Sequence, residues 1–428
     1  MHTTFLVLAL IAIASQGLVL VLAFFGPDLP YRIKHAPDRD LASDSFLSLL
    51  AVLTDAQVHR GTRIEVLTNG ECFYTAQLAA IRAAQRTINL EAYIFHRGKI
   101  GDQFVEALAE RARSGVKVQL IIDYIGSLST TKSYFRKITD AGGRVEWYHS
   151  LRIDLLPQIN NRTHREMLIV DGKVGFVGGA GIADQWYTGL KGHARWRDTA
   201  VRLEGPLVPS LQSAFAQNWL RVSGEILTGS DYFSFDPREH ADRSSEAATF
   251  VVNSTPAAGS TRARILFQTL IASAKERIYI NTPYFLPDRS ARQAIIEAAR
   301  DRKLDVKIIT PGKHADHALT RNSSRTLYGA LLKNGVEIYE YQPSMIHVKA
   351  LIVDDMWAVV GSTNFDSRSF ELNDEVNVAF LDRAVTGRLV EDFHRDLAQS
   401  QLITYKEWGK RARFRVYERL ESLLAKQE

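Results

Sequence analysis

The stretch Ile278-Tyr-Ile-Asn-Thr-Pro-Tyr-Phe285 repeats, about 190 residues further on, the apolar run Ile88 to Phe95. The elements after each copy repeat as well. After the first come a helical pattern over 100–114, a buried strand from Val116 to Asp123, a helix over 131–141 stopped by Gly142-Gly143, and a strand from Val145 to His149. After the second come a helix from Ala291 to Arg302, a strand from Leu304 to Thr310, a helix from Arg325 to Lys333 capped by Asn334-Gly335, and a strand from Val336 to Tyr341. Buried strands alternating with helices predict a largely parallel sheet with helices on both faces. Two copies predict two fused α/β halves.

The second copy runs on into Met345-Ile-His347-Val-Lys349-Ala-Leu-Ile-Val-Asp354, then Gly361-Ser362-Thr363-Asn364-Phe-Asp366-Ser-Arg368-Ser. Strand residues two apart share a face. His347 and Lys349 can therefore meet one ligand, while Val348, Ala350 and Ile352 face away. Asp354-Asp355 predicts a tight turn, and Trp357–Gly361 the returning strand. Fixed charge from lysine, with hydroxyl, amide and backbone donors from the loop, suits an oxyanion such as a phosphodiester. Histidine adds a nucleophile or a proton carrier. The first copy carries the same frame in Thr163-His164-Arg165-Glu166, Asp171-Gly172 and Gly178-Gly179-Ala-Gly181. Glu166 stands at the lysine position, and Gly181 at the asparagine position.

The pattern H-x-K-x4-D followed by G-S-x-N resembles the signature of the phospholipase D superfamily, over residues 63 to 400. The resemblance implies two α/β sandwich halves facing each other across a pseudo-two-fold axis, each giving one histidine to a single site. It implies a covalent phosphohistidine, with His164 as nucleophile and His347 as acid and base. His164, Asp171, His347, Lys349 and Asp354 form the candidate catalytic set. Lys349, Ser362, Asn364 and Gly179 are candidate phosphate binders. Asp354 lies seven residues from His347, over about 20 Å of extended chain, so a turn-stabilising role suits it better. Glu375 is the candidate to fix the tautomer of His347, and Asp198 holds the matching place for the first half. No metal or cofactor is called for; His314-Ala-Asp-His317 is spaced like a metal pair but reads as a polar loop. Glu166 would put a carboxylate beside the anion, where like charges about 4 Å apart repel by roughly 1 kcal/mol in water and by more in a site. Impaired activity is expected, and Glu166→Lys should raise it.

Glu91-Ala-Tyr-Ile-Phe, Asp123-Tyr-Ile-Gly-Ser127, Thr282-Pro-Tyr-Phe-Leu-Pro287 and Tyr339-Glu-Tyr-Gln-Pro343 are similar to bacterial cardiolipin synthases. That similarity implies anionic phospholipid substrates: one phosphatidylglycerol passes its phosphatidyl group to another and releases glycerol. The alternatives are a phospholipase D hydrolase, a membrane-tethered nuclease or phosphodiesterase, and a non-catalytic lipid-binding homologue. A net charge of +5 favours anionic partners. The absence of a basic stripe interleaved with aromatics speaks against nucleic acid.

Phe5 to Phe25 is uncharged, and apolar apart from Ser15, Gln16 and Gly17. That length suits a bilayer-crossing helix. No Lys or Arg precedes it and no small-x-small site comes after it, so a retained single-pass anchor is expected rather than a cleaved signal. Arg32, Lys34 and Arg39 place the catalytic part on the cytoplasmic side of a bacterial inner membrane. The expected divisions are an anchor (1–27), a membrane-proximal linker with a short helix (28–62), a first half (63–225), a connecting segment (226–255), a second half (256–400) and a basic amphipathic helix (401–428). The last could lie on an anionic bilayer or close the fold by packing on the domain. Cys72 is the only cysteine, which excludes an internal disulfide.

Overall fold

The computed structural model describes residues 33–37, 40–149, 161–190, 192–234, 247–255 and 262–410. The expected anchor over 1–27 lies outside these residues, as does the tail beyond 410. Among the described residues, no helix is long and apolar enough to cross a membrane.

Up to residue 204 the strands are β1 (His59–Arg60), β2 (Arg63–Thr68), β3 (Thr87–Ala92), β4 (Lys117–Asp123), β5 (Arg144–Tyr148), β6 (Met167–Val170), β7 (Val174–Gly178) and β8 (Thr199–Glu204). Next come β9 (Ala248–Ser254), β10 (Arg277–Asn281), β11 (Phe285–Leu286), β12 (Asp305–Pro311), β13 (Glu337–Tyr341), β14 (Ala350–Val353), β15 (Trp357–Gly361), β16 (Phe365–Asp366), β17 (Glu375–Leu381) and β18 (Ser400–Ile403). One sheet has the order β2-β8-β7-β6-β3-β4-β5. The other runs β1-β9-β17-β15-β14-β10-β12-β13-β18, and its central seven strands repeat the order of the first.

Both sheets are mixed rather than largely parallel. Only β3-β4-β5 and β10-β12-β13 pair in parallel; the other pairings within the two sheets are antiparallel. The cause is local. A short turn can join only antiparallel neighbours, whereas parallel ones need a crossover. β6–β7 and β14–β15 are joined by such turns, with positive φ at Asp171, Gly172, Asp354 and Asp355.

Each sheet carries helices on its outer face. Asn69–Ala83 and Lys99–Arg113 bury Phe73, Leu78, Phe104 and Leu108 against the first sheet. Arg262–Ser273, Arg289–Arg300 and Ala318–Lys333 do the same for the second. The inner faces share a third core, in which Ile169 and Val177 from one sheet join Ile352 and Val360 from the other. Leu211 and Phe215 of helix Val208–Ser223, and Leu389 and Phe393 of helix Arg383–Ala398, belong to that core. Full burial of each such side chain stabilises by about 1.5–3 kcal/mol, so the sheets are bound to each other as firmly as each is to its helices.

Three expectations change. The short helix expected in the linker is Asp44–Thr54, and it belongs to the fold: it buries Phe46, Leu47 and Leu50 in the second sheet's core, and Trp357 Nε1 donates to Leu41 O at 2.9 Å. Apolar residues at this spacing make one helical face, which must be covered. The boundary at 401 falls inside β18, which pairs with β13. The helix over 131–141 is a 3-10 turn, Lys132–Phe135, followed by a short helix, Arg136–Asp140.

Candidate active site

Two backbone crossings build the site. Thr163 bridges Asp374 in parallel, with His164 N–H donating to Asp374 O at 2.9 Å and Asp374 N–H to Arg162 O at 2.8 Å. Arg197 bridges Ile346 in the same way, through Arg197 N–H to Met345 O at 2.9 Å and His347 N–H to Arg197 O at 2.7 Å. Each histidine segment is thus laid beside the acidic segment of the other half. His164 Nδ1 lies 3.0 and 3.1 Å from the two oxygens of Glu375. His347 Nδ1 lies 2.9 Å from Asp198 Oδ2. This corrects the expected partnership, in which Glu375 served His347 and Asp198 served the first half. Spacing along one strand does not register pairing between segments 211 and 149 residues apart.

Both carboxylates are held in turn. Asp198 accepts from Trp186 Nε1 at 3.1 Å and from Thr199 N at 2.8 Å. Glu375 accepts from the Ser362 hydroxyl. Ser362, an expected phosphate binder, is fully buried and positions this acid instead. Asp171 and Asp354 lie away from both imidazoles. Asp171 accepts from the N–H groups of Gln85, Arg86 and Thr87, and Asp354 from those of Lys275, Glu276 and Arg277. They seat their turns on the starts of β3 and β10, so their place in the catalytic set is corrected to a structural one.

Lys349 is buried, with Nζ 2.9 and 3.1 Å from the two ring nitrogens of His347 and 2.9 Å from its carbonyl oxygen. One ammonium cannot lie in the ring plane towards both nitrogens, so the charge rests against the ring. Its arm crosses the backbone of Gly179. A Cβ on Gly179 would come within 2.8 Å of Lys349 Cδ and Nζ. Burial drives the Lys349 amine down to about 8, against the pull of Asp198 and Glu375. Burial, then Lys349, drives His347 down to about 4 although Asp198 opposes them, so His347 is neutral at physiological pH.

Glu166, the carboxylate expected beside the anion, is buried. Burial raises its carboxyl well above the usual range, which favours the neutral acid. Oε1 turns to the N–H groups of Tyr93 and Ile94 at 3.2 and 3.3 Å.

His164, His347, Glu166, Gly179 and Asn364 all line one cavity of about 520 Å³. Tyr93 packs edge-on to His164 and Tyr284 to His347, with ring centres 5.2 and 6.4 Å apart. Arg162 and Arg368 also line the cavity, beside Asp366, whose carboxyl burial lifts to about 6. His317 lies at the same cavity. Among the described residues no group of three or more His, Cys, Asp or Glu side chains is placed to hold a metal. Sequence reasoning missed the roles of Tyr93, Tyr284 and Arg368, although all three stand inside the motifs named above. It also missed Glu91. This fully buried group, raised by burial to about 7, accepts from Asn218 Nδ2 at 2.7 Å and from Thr163 Oγ1, and so braces the residue before His164.

A family model described as "Cardiolipin synthase, PLD-like domain" matches residues 77–219 and 267–397. The chain is 34% identical over 384 residues to cardiolipin synthase 1 of Staphylococcus epidermidis, covering 89% of this chain and 75% of that protein. It is 35% identical over 351 residues to cardiolipin synthase 2 of Bacillus anthracis, covering 82% and 67%. Among solved structures, phosphatidylserine synthase of Haemophilus influenzae superposes with a TM-score of 0.69 over 90% of this chain and 100% of its own, at 13% identity. That last likeness concerns the fold.

Proposed function

Since the chain belongs to the cardiolipin synthase family of phospholipase D-like phosphatidyltransferases, we propose that it moves a phosphatidyl group from one phosphatidylglycerol to another and releases glycerol. The observation that carries the reading is the pair of imidazoles on one cavity, each with its Nδ1 held by a carboxylate from the other half. A carboxylate at Nδ1 favours the tautomer that leaves Nε2 free. The repeated strand order supports a pseudo-two-fold relation between halves spanning about 63–225 and 256–400.

In this mechanism neutral His347 is the nucleophile and His164 the acid and base, the reverse of the assignment drawn from the family. His347 Nε2 attacks phosphorus, the bond to the glycerol oxygen breaks, and protonated His164 gives that oxygen a proton. His164 then takes the proton of the incoming hydroxyl, whose oxygen attacks phosphorus as the P–N bond breaks. Lys349, Arg162 and Arg368 supply positive charge, and Asn364 an amide donor. Glu166 stabilises the phosphoryl group less than a cation, so Glu166→Lys raises turnover. The phospholipid substrate, the apolar run over 5–25 and the relatives' activity together support a single-pass enzyme of the bacterial inner membrane.

Detergent-solubilised protein incubated with phosphatidylglycerol tests the reading. Cardiolipin with glycerol supports it. Phosphatidic acid points to a hydrolase, and cut single-stranded DNA without lipid turnover to a nuclease. Inactivity that persists in Glu166→Lys leaves a non-catalytic homologue. The histidine roles are separated with a p-nitrophenyl phosphodiester, whose leaving group needs no proton. His164→Asn should still give a burst of nitrophenol and His347→Asn none; the opposite pattern restores the family assignment.

A further inference from the structure

Two departures from the family signature, Glu166 and Gly181, are structurally one. A Cβ at Gly181 would lie 3.0 Å from Glu166 Oε1 and 2.5 Å from Ile94 O. The asparagine that the signature places there has no room beside this carboxyl. The space vacated at 181 is what allows Glu166 to fold back onto the Tyr93 and Ile94 amides.

That anchoring makes the two oxygens unequal. Oε1 accepts two N–H bonds and behaves as the carbonyl oxygen. Oε2 makes no hydrogen bond to any described residue, on a side chain that lines the cavity holding both imidazoles. The acid proton therefore belongs on Oε2. Resting on the two-histidine reading above, we propose that Glu166 is a catalytic hydrogen-bond donor: as a neutral carboxylic acid it holds a phosphoryl oxygen at the position where the family places a lysine. The donor is uncharged, so it adds no anion to the site and needs no counter-ion. The groups that face it are Lys349 and Asp198, the hydroxyls of Tyr74 and Tyr93, and the two imidazoles. Of these Lys349, and His164 while it carries the proton, favour ionisation of the acid; Asp198 opposes it, as does any bound phosphate. Ionised Glu166 would lose its donor and repel the phosphoryl group.

Glu166→Gln and Glu166→Leu decide the matter, with pH–activity profiles on phosphatidylglycerol and thermal unfolding to confirm that each variant is folded. The amide keeps the anchor to both N–H groups and still presents a donor, but cannot ionise. At neutral pH Glu166→Leu should fall on the order of a hundredfold, as when one oxyanion donor is removed, and Glu166→Gln, which keeps a weaker donor, should fall much less. Loss of charge from Lys349 gives every variant an alkaline decline. The parent should decline more steeply than Glu166→Gln, because two groups ionise instead of one. Binding of tungstate by calorimetry gives a readout that needs no turnover: affinity should fall more steeply with pH in the parent than in Glu166→Gln. If the parent turns over no phosphatidylglycerol yet tungstate binding behaves so, the substrate reading fails and the donor stands. A folded Glu166→Leu with full activity, or identical alkaline limbs in the parent and Glu166→Gln, overturns the donor.

Discussion

Lys349→Met should make the protein more stable while removing its activity. Lys349 is only 3% exposed, so solvent screening offers little relief. Its amine falls from 10.5 to about 8 even after the attraction of Asp198 and Glu375. At about 1.4 kcal/mol per decade, keeping it charged in the folded state costs about 3 kcal/mol. Losing its hydrogen bond to the His347 carbonyl returns about 1 kcal/mol of that, leaving a net gain of about 2 kcal/mol. The sign comes from the protons: between about pH 8 and 10.5 the unfolded lysine is charged and the folded one neutral. The penalty is therefore full below pH 8 and fades as pH rises towards 10.5. Urea unfolding of parent and Lys349→Met at pH 7 should show the gain, and the gap should close across that alkaline window. Turnover of phosphatidylglycerol should drop by a factor of about 10²–10³. A variant that is less stable at pH 7, or a gap indifferent to alkaline pH, would refute the reasoning.

Other outcomes come from the same geometry. Asp198→Asn or Glu375→Gln should cut turnover by about 10³–10⁴ with the fold retained, because each favours the wrong tautomer of the histidine it holds; glycerol release and circular dichroism read the two effects. Asp354→Ala should cost about 1–3 kcal/mol of stability by stripping an acceptor from three N–H groups, with little change in kcat for the folded fraction. Gly179→Ala should push Lys349 off the His347 ring and lower kcat, since the added methyl has no room. His347 is held down to about 4 against 6.5 when unfolded, so the unfolded state binds the extra proton between those values. Stability should fall by about 3 kcal/mol as pH drops through that window, and His347→Asn should flatten the fall in an unfolding series.

The repeat made much of the fold legible. The strand and helix order of each copy survives in the structure, because apolar runs and glycine stops are local signals. The sequence reads as helical only from Gln77 to Gln85, but helix Asn69–Ala83 starts eight residues earlier. Gly70 lets its first turn approach Trp186, whose carbonyl oxygen a Cβ would overlap. At the site, His164, His347 and Lys349 were visible through spacing. The reach of Glu375 and Asp198 was not, because it depends on pairing between segments remote in sequence. The state of Glu166 was hidden for a different reason: a glutamate reads as an anion until its burial is known.

The crossed hydrogen bonds at 162–164 with 374, and at 197 with 345–347, also limit how a lipid can reach the histidines. Were the two sheets to hinge apart, both imidazoles would lose their acids in the same movement. Access must therefore run through the mouth of a cleft whose floor stays shut.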